Sequence, residues 1–383
     1  MRFAKWSAAA ALAMASIPSG AIAADVKLPS SISWTAYGTT SSGYAQSVGI
    51  GQMLKSKYNV DLRIIPGKND VSRMSPLKAG QTDLCACGIA VYYAQEGVEM
   101  FATRAWGPQR IRNLFNNIGR NGAMVAVAAD VGIKTMVDLK GKRVVWVKGA
   151  PALNNNMAAG LAFAGLTWND VQKVEVPGFK QSLDAIINGQ ADAAFASTIT
   201  TSLAQLAASP RGLYYVPEPH NDAAGWKRAH AIAPYWVKGV VTAYTNGARN
   251  AGPFDGARYP YPTFISTEKT TDEFAYSLTK AVMDNYEDIK ESGPGMDGYQ
   301  LKQQNFQFVF PYHPGSITYF KEKGVWTAAD DTHNAATLKR QDVLAAAWKE
   351  MLKKSVSDDK FKDEWMKVRA AALGKAGMPV IFH

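Results

Sequence analysis

The sequence predicts an α/β protein in two lobes, each built on a mostly parallel sheet covered by helices. Two observations carry this. The stretch from Asp138 to Thr201 reads strand, loop, helix, strand, helix, strand, and such alternation belongs to parallel sheets whose ligands bind beyond the carboxyl ends of the strands. A length of 383 residues favours two domains or lobes over one.

The chain opens with Arg2 and Lys5, an Ala-rich apolar stretch from Ala8 to Ala15, then Pro18, Gly20 and Ala21-Ile22-Ala23. This fits a cleavable secretory signal over residues 1–24. The apolar stretch is shorter than the roughly 20 residues a membrane helix needs, so a soluble periplasmic protein is expected. Loss of Arg2 and Lys5 takes the formal charge from +10 to +8. Lys and Arg are scattered rather than clustered with aromatics, so the basic surface favours small anions and gives nucleic acid little support.

In the first lobe, Ser31 to Tyr37 alternates as a strand and runs into Gly38-Thr39-Thr40-Ser41-Ser42-Gly43-Tyr44. Hydroxyls and N–H groups beside a helix start hold an anion without any lysine, although a Ser/Thr-rich helix cap has the same composition. Val60 to Ile65 is the next strand, followed by a loop with Asp70 and Ser72, and a short helix from Arg73 to Ala79. Arg73 either meets a ligand carboxylate bidentately or pairs with Asp70, and the pairing is the default. Asp83 to Val91 reads as a third strand ending at Tyr92 and Tyr93. It carries Cys85 and Cys87, the only cysteines, taken as small buried fillers because a bridge across one residue strains disulfide geometry. The five histidines lack paired spacing, so no metal and no cofactor are expected.

In the second lobe, Val144 to Val147 is a buried strand that leads into Gly149, Ala150, Pro151, Ala152, Leu153 and Asn154, with a helix from Asn154 to Gly165. A second helix ends at Gly189, and the strand after it delivers Ser197 and Thr198 to the same side. Leu213 to Val216 is a further strand, and 217–262 reads as a long irregular return, with Pro262 to Ser266 the strand that re-enters lobe 1. Glu268 to Ile289 is helical, and Lys339 to Gly374 forms helices beyond it. His313, before Pro314-Gly315, is a helix cap or a buried hydrogen-bonding group.

These residues resemble a family, the TAXI-type solute-binding receptors of tripartite ATP-independent periplasmic (TRAP) transporters. Five segments match its pattern in order: the Ser/Thr/Gly loop after the first strand, Gly80 to Leu84, Asp138 to Val144, Gly189 to Ala193 and His313 to Gly324. The resemblance spans about residues 30–325 and implies a two-lobed type II periplasmic-binding-protein fold with a hinge. It implies capture of a small carboxylate, delivery to ion-gradient-driven TRAP membrane subunits, no catalysis, and a monomer. The expected division is 25–125 for the first part of lobe 1, 126–240 for lobe 2, 241–325 for the return and the rest of lobe 1, and 326–383 for a helical extension packed on lobe 1.

The chain departs from the family inside the expected pocket. Ala150-Pro151-Ala152-Leu153 stands where the family usually has Gly-Ser-Gly-Thr, and Asp70 and Arg73 stand at its Ser and Asn positions. Pro151 offers no N–H and Leu153 adds apolar surface, so a ligand with an apolar or aromatic part is expected, beside Trp146, Tyr44, Tyr92, Tyr93 and Phe195. Contacts are expected from Gly38, Thr39, Thr40, Ser41, Tyr44, Asp70, Ser72, Arg73, Tyr92, Tyr93, Ala150 to Asn154, Ser197 and Thr198. A receptor signalling through a membrane sensor, or less readily a secreted enzyme, is the alternative. No Gly-x-Ser-x-Gly elbow, metal-binding His pair or phosphate-cradling loop supports an enzyme.

Overall fold

The computed structural model describes residues 25–250 and 252–382, so the expected signal segment lies outside the described residues. The first lobe begins with β1 (Ser31–Tyr37), α1 (Ser42–Tyr58), β2 (Asp61–Gly67), α2 (Asp70–Lys78), β3 (Leu84–Cys87), α3 (Ala90–Glu96) and β4 (Ile111–Asn116). The second holds β5 (Ala123–Ala128), β6 (Arg143–Val147), α4 (Pro151–Phe163), β7 (Gln172–Val176), α5 (Phe179–Ile187), β8 (Ala193–Ser197), α6 (Leu203–Ala208) and β9 (Leu213–Tyr215). After α7 (Ala223–Ile232), a two-stranded sheet of β10 (Val237–Val241) and β11 (Phe254–Arg258) follows. Then β12 (Thr263–Thr267), α8 (Asp272–Asp284), α9 (Tyr286–Ile289) and α10 (Pro314–Glu322) complete the first lobe, and α11 (Ala328–Leu352) and α12 (Asp358–Lys375) extend it.

The two large sheets share one topology, with strand orders β2-β1-β3-β12-β4 and β7-β6-β8-β5-β9. In each, four strands run one way and a single strand, β12 or β5, runs against its neighbours. The reason is geometric. β4 ends at the carboxyl edge of its sheet, so the chain enters the facing sheet from that sheet's carboxyl edge and must run antiparallel there; β12 repeats this on the way back. The carboxyl edges therefore face each other, with the crossings at 117–122 and 259–262. This is the two-lobed type II periplasmic-binding-protein fold.

Four expectations need correction. The third strand stops at Cys87, and Ala90–Glu96 is helical, because Gly88 breaks the run and the apolar residues beyond it are buried all round. The stretch 217–262 is not irregular, since α7, β10 and β11 fall within it. β5 straddles the expected boundary at 125, and β11 keeps the chain with lobe 2 until Arg258, so the return begins at 259 rather than 241. Cys85 and Cys87 are buried, as fillers would be, yet their sulfurs are bonded. Their Cα atoms stand 5.1 Å apart, inside the range a disulfide spans, so the one-residue spacing does not forbid the bridge.

One apolar core runs across both lobes and joins Met74, Ile89 and Tyr93 to Val125, Met157 and Trp236. The helical extension is fastened to lobe 1. Glu96 of α3, fully buried, pairs with Arg340 of α11 at 2.6 Å and with Arg369 of α12, and the Trp365 indole donates to Gly97 O at 2.6 Å. Arg369 also donates to Phe382 O, and the Phe382 ring packs edge-on against Tyr92 and Tyr93.

Candidate functional site

The facing carboxyl edges enclose a narrow, closed cleft of about 50 Å³. From lobe 1 it is lined by Tyr37 at the end of β1, Ser41 and Ser42 at the start of α1, Arg73, and Gly88 with Ile89 after β3. Lobe 2 contributes Ala123, Ala152, Leu153, Phe179, Phe195 to Ser197, Thr200 and, at the end of β11, Arg258, and the crossings contribute Asn121, Tyr259 and Tyr261. Apolar and aromatic faces thus surround a few hydroxyls, one amide and two guanidinium groups, the usual makeup of a site for a small polar-ended molecule.

The two guanidinium groups differ in what already holds them. Arg73 is fully buried and pairs with the equally buried Asp70 at 2.7 Å, so of the two arrangements open to it the ion pair is the one found. Arg73 Nη1 donates to Ala86 O at 3.2 Å, and its guanidinium lies 3.5 Å from the centre of the Tyr37 ring. The Tyr37 hydroxyl donates to Asp70 Oδ1. Burial works against the Arg73 charge, but Tyr37 and Asp70 outweigh it and keep the group protonated, above its ordinary range. Burial and then Asp70 push the Tyr37 phenol well up.

Arg258, by contrast, has no carboxylate within ion-pair distance among the described residues. Its Nη2 donates to Gly119 O, its Nε is buried without a partner, and burial lowers its basicity, with Asp297 the opposing influence. Gly239, opposite Gly256 on the β10–β11 ribbon, lets the Arg258 stem lie flat across the strands, because a Cβ there would overlap Arg258 Cδ. Arg258 therefore reaches from the end of β11, where one crossing begins, to a carbonyl of the other.

Several hydrogen bonds already tie the lobes together around the cleft. Ala152 N donates to Asp70 Oδ2 at 2.8 Å, Asn69 Nδ2 to Lys148 O at 3.0 Å and Val71 N to Gly149 O at 3.3 Å. Phe179 N donates to Lys68 O at 3.0 Å, and Thr201 Oγ1 to Thr40 O at 2.6 Å. Gly149 makes the first group of contacts possible: its φ of +70° turns the chain out of β6, and a Cβ there would stand 2.7 Å from Asn69 Nδ2. At the back of the cleft, Asn156 Oδ1 accepts from Tyr235 OH at 3.2 Å and from the Trp236 indole at 2.6 Å, and its amide donates to Tyr259 OH at 3.1 Å. The lobes are closed.

Of the residues expected at the site, Ser41, Arg73, Ala152, Leu153 and Ser197 line the cleft. The others are placed elsewhere, each for a visible reason. Gly38 and Thr39 lie before the α1 cap and Thr39 is exposed, while Thr40 offers its carbonyl to Thr201. Tyr44 packs on the core of lobe 1. Asp70 is behind Arg73, and Ser72 completes the capping box with Asn69. Tyr92 meets Phe382, and the Tyr93 hydroxyl lies 3.0 Å from that of Tyr235. Ala150 and Pro151 form the start of α4, and Asn154 is used up stitching Val147 N and O at 2.9 Å each. Thr198 Oγ1 accepts from Gly122 N and donates to Ala243 O. Trp146 stacks edge-on with Trp168 under Lys173, away from the cleft, whereas Phe195 lines it. His313 caps α10, its Nδ1 accepting from Gly315 N at 3.2 Å.

Tyr37, Ser42, Asn121, Phe179, Arg258, Tyr259 and Tyr261 line the cleft without having been expected. Looking only beyond the ends of parallel strands overlooks the two crossings. The available signal for Arg258 is the alternation of Phe254 to Arg258 opposite a second short strand that carries Gly239.

A family model described as the NMT1-like family matches residues 35–324. Among solved structures, the chain is similar to the alkanesulfonate-binding protein from Xanthomonas axonopodis pv. citri bound to MOPS, at 15% identity and TM-score 0.44, over 94% of this chain and 96% of that one. It is similar to a periplasmic binding protein from Brucella ovis with glutathione bound, at 12% identity and TM-score 0.43, over 72% and 78%. An ancestral arginine-binding protein bound to arginine gives 15% identity and TM-score 0.41, over 68% and 95%. No curated protein sequence matches the chain.

Proposed function

The chain belongs to the NMT1-like family, a group of substrate-binding receptors rather than enzymes, and on that premise we propose that it captures a small organic anion between its lobes for delivery to a membrane transporter. The observation that carries the choice of an anion is Arg258, a guanidinium in the cleft with no carboxylate partner and a buried, unsatisfied Nε. A buried donor without an acceptor is costly, and a ligand carboxylate or sulfonate supplies the acceptor. Ser41, Ser42, Asn121, Ser197 and Thr200 provide further polar contacts, and Leu153, Phe179, Phe195 and Tyr261 take an apolar or aromatic remainder.

The delivery partner we propose is a TRAP-type membrane assembly, on the strength of the TAXI-like segments at 80–84, 138–144, 189–193 and 313–324. The receptor would work as a monomer in the periplasm after removal of residues 1–24. Closure around a ligand matches a hinge made of two crossings.

The test is a thermal-shift and calorimetric screen of the mature protein, and of Arg258→Met, against aliphatic and aromatic carboxylates, sulfonates and their uncharged amides. Folded-state ligands raise the melting midpoint. Acids should raise it and amides should not, and Arg258→Met should weaken acids by about 1.5–3 kcal/mol, the range for a hydrogen bond to a charged group. Equal binding of acid and amide would remove the anion from the proposal.

A further inference from the structure

The junction between α2 and α4 contains a carboxylate that belongs to the protein itself. Pro151, at the first turn of α4, has no N–H, so Ala152 N is the leading free donor of that helix start, and it donates to Asp70 Oδ2 at 2.8 Å. The other oxygen, Asp70 Oδ1, takes Arg73 Nη2 at 2.7 Å and the Tyr37 hydroxyl. Asp70 and Arg73 are both fully buried, only Arg73 borders the cleft, and its buried Nε has no partner. The Arg73 charge is thus present in the cleft wall and already balanced from behind.

We propose that Asp70 is a specificity-determining residue: by neutralising Arg73 and occupying the α4 start, it leaves Arg258 as the one unbalanced cation described in the cleft, so that the receptor selects monoanions over dianions of equal length. This rests on the reading of the cleft as an anion site. A ligand with a single acid group can place it at Arg258 and its apolar end against Leu153 and Phe179. A second carboxylate has to be desolvated in the same cleft without a free cation to meet it, and burying an unpaired charge is unfavourable. Removing the Asp70 charge frees Arg73, and the cleft then holds two cations.

The experiment compares hexanoate with adipate, which share a six-carbon chain, by calorimetry on wild type, Asp70→Asn and the double variant Asp70→Asn/Arg73→Met. Wild type is expected to favour hexanoate by at least about tenfold, Asp70→Asn to shift the ratio towards adipate by about tenfold or more, and the double variant to recover the wild-type preference. Circular dichroism melts establish which variants fold. If Asp70→Asn does not fold, the double variant, which buries no charge at this position, still decides: loss of its preference for hexanoate overturns the proposal. Binding of hexanoate with an unchanged ratio in Asp70→Asn overturns the charge selection while leaving the anion receptor intact. Failure of every acid to bind wild type overturns both.

Discussion

The side chain of Arg258 lies flat over Gly239, the residue two positions out of register from it on the neighbouring strand of the β10–β11 ribbon. A methyl group at 239 would occupy the space of Arg258 Cδ. Gly239→Ala is therefore expected to displace the guanidinium without touching the ligand. Anion affinity should fall by about 1–2 kcal/mol, the scale of a misplaced hydrogen bond to a charge, while the melting midpoint of the free protein moves little. Titration calorimetry beside a melt separates the two effects.

Glu96 answers two arginines from the helical extension and is fully buried. Glu96→Gln leaves Arg369 and Arg340 facing each other without a counter-charge. Breaking a buried ion pair from one side costs about 3–5 kcal/mol, so the urea midpoint should fall strongly. Ligand affinity at temperatures where the variant is folded should stay within a factor of a few.

Glu218 is buried with no ion-pair partner among the described residues; its Oε2 accepts from Ala257 N at 3.1 Å and its Oε1 has no hydrogen-bond partner there. Burial raises its pKa well above the ordinary glutamate range. A raised folded-state value means that the native state holds the proton when the unfolded chain has released it. Its contribution is therefore fully favourable below the unfolded pKa of about 4.5, and stability declines as pH climbs from there towards the folded value, by about 1.4 kcal/mol per pH unit inside that window. Glu218→Gln should abolish this slope, so its stability gain over wild type should grow from pH 4.5 to 7. Denaturant midpoints at a series of pH values measure it.

Tyr93 and Tyr235 place their hydroxyls 3.0 Å apart across the two lobes. Tyr93→Phe should lower stability by about 1 kcal/mol through loss of one buried hydrogen bond, with the ring packing on Phe382 kept. A urea melt of the variant checks it, and a loss above about 3 kcal/mol would mean that the ring itself has moved.

Much of the scaffold was legible because its elements follow local rules. β1 and β6 alternate or run apolar between charge and glycine, and α1 starts where a Ser-rich loop meets an apolar period. The loops after β1, β2, β6 and β8 do lie on one side, since that follows from parallel strands. What was not legible depends on contacts distant in the chain. The short alternation at 254–258 does not say that Val237 to Val241 will pair with it, so Arg258 was hidden in a stretch that looked irregular. Leu153 and Ser197 could be found from position alone. By contrast, the hydroxyls of Ser72 and Thr198 and the amide of Asn154 are consumed by neighbouring backbone, which composition does not reveal.

The lone antiparallel strand of each sheet bears on the order in which the chain folds. Lobe 2 is contiguous: β5 through β11 lie between the two crossings, and all its strands are available once that segment exists. Lobe 1 is not, because β12 must be inserted between β3 and β4 after the whole of lobe 2 has been made. Closing so long a loop is slow compared with local pairing. During synthesis, β3 and β4 must wait with open edges, leaving Phe115 and Cys85 without the strand that carries Phe264 and Ile265.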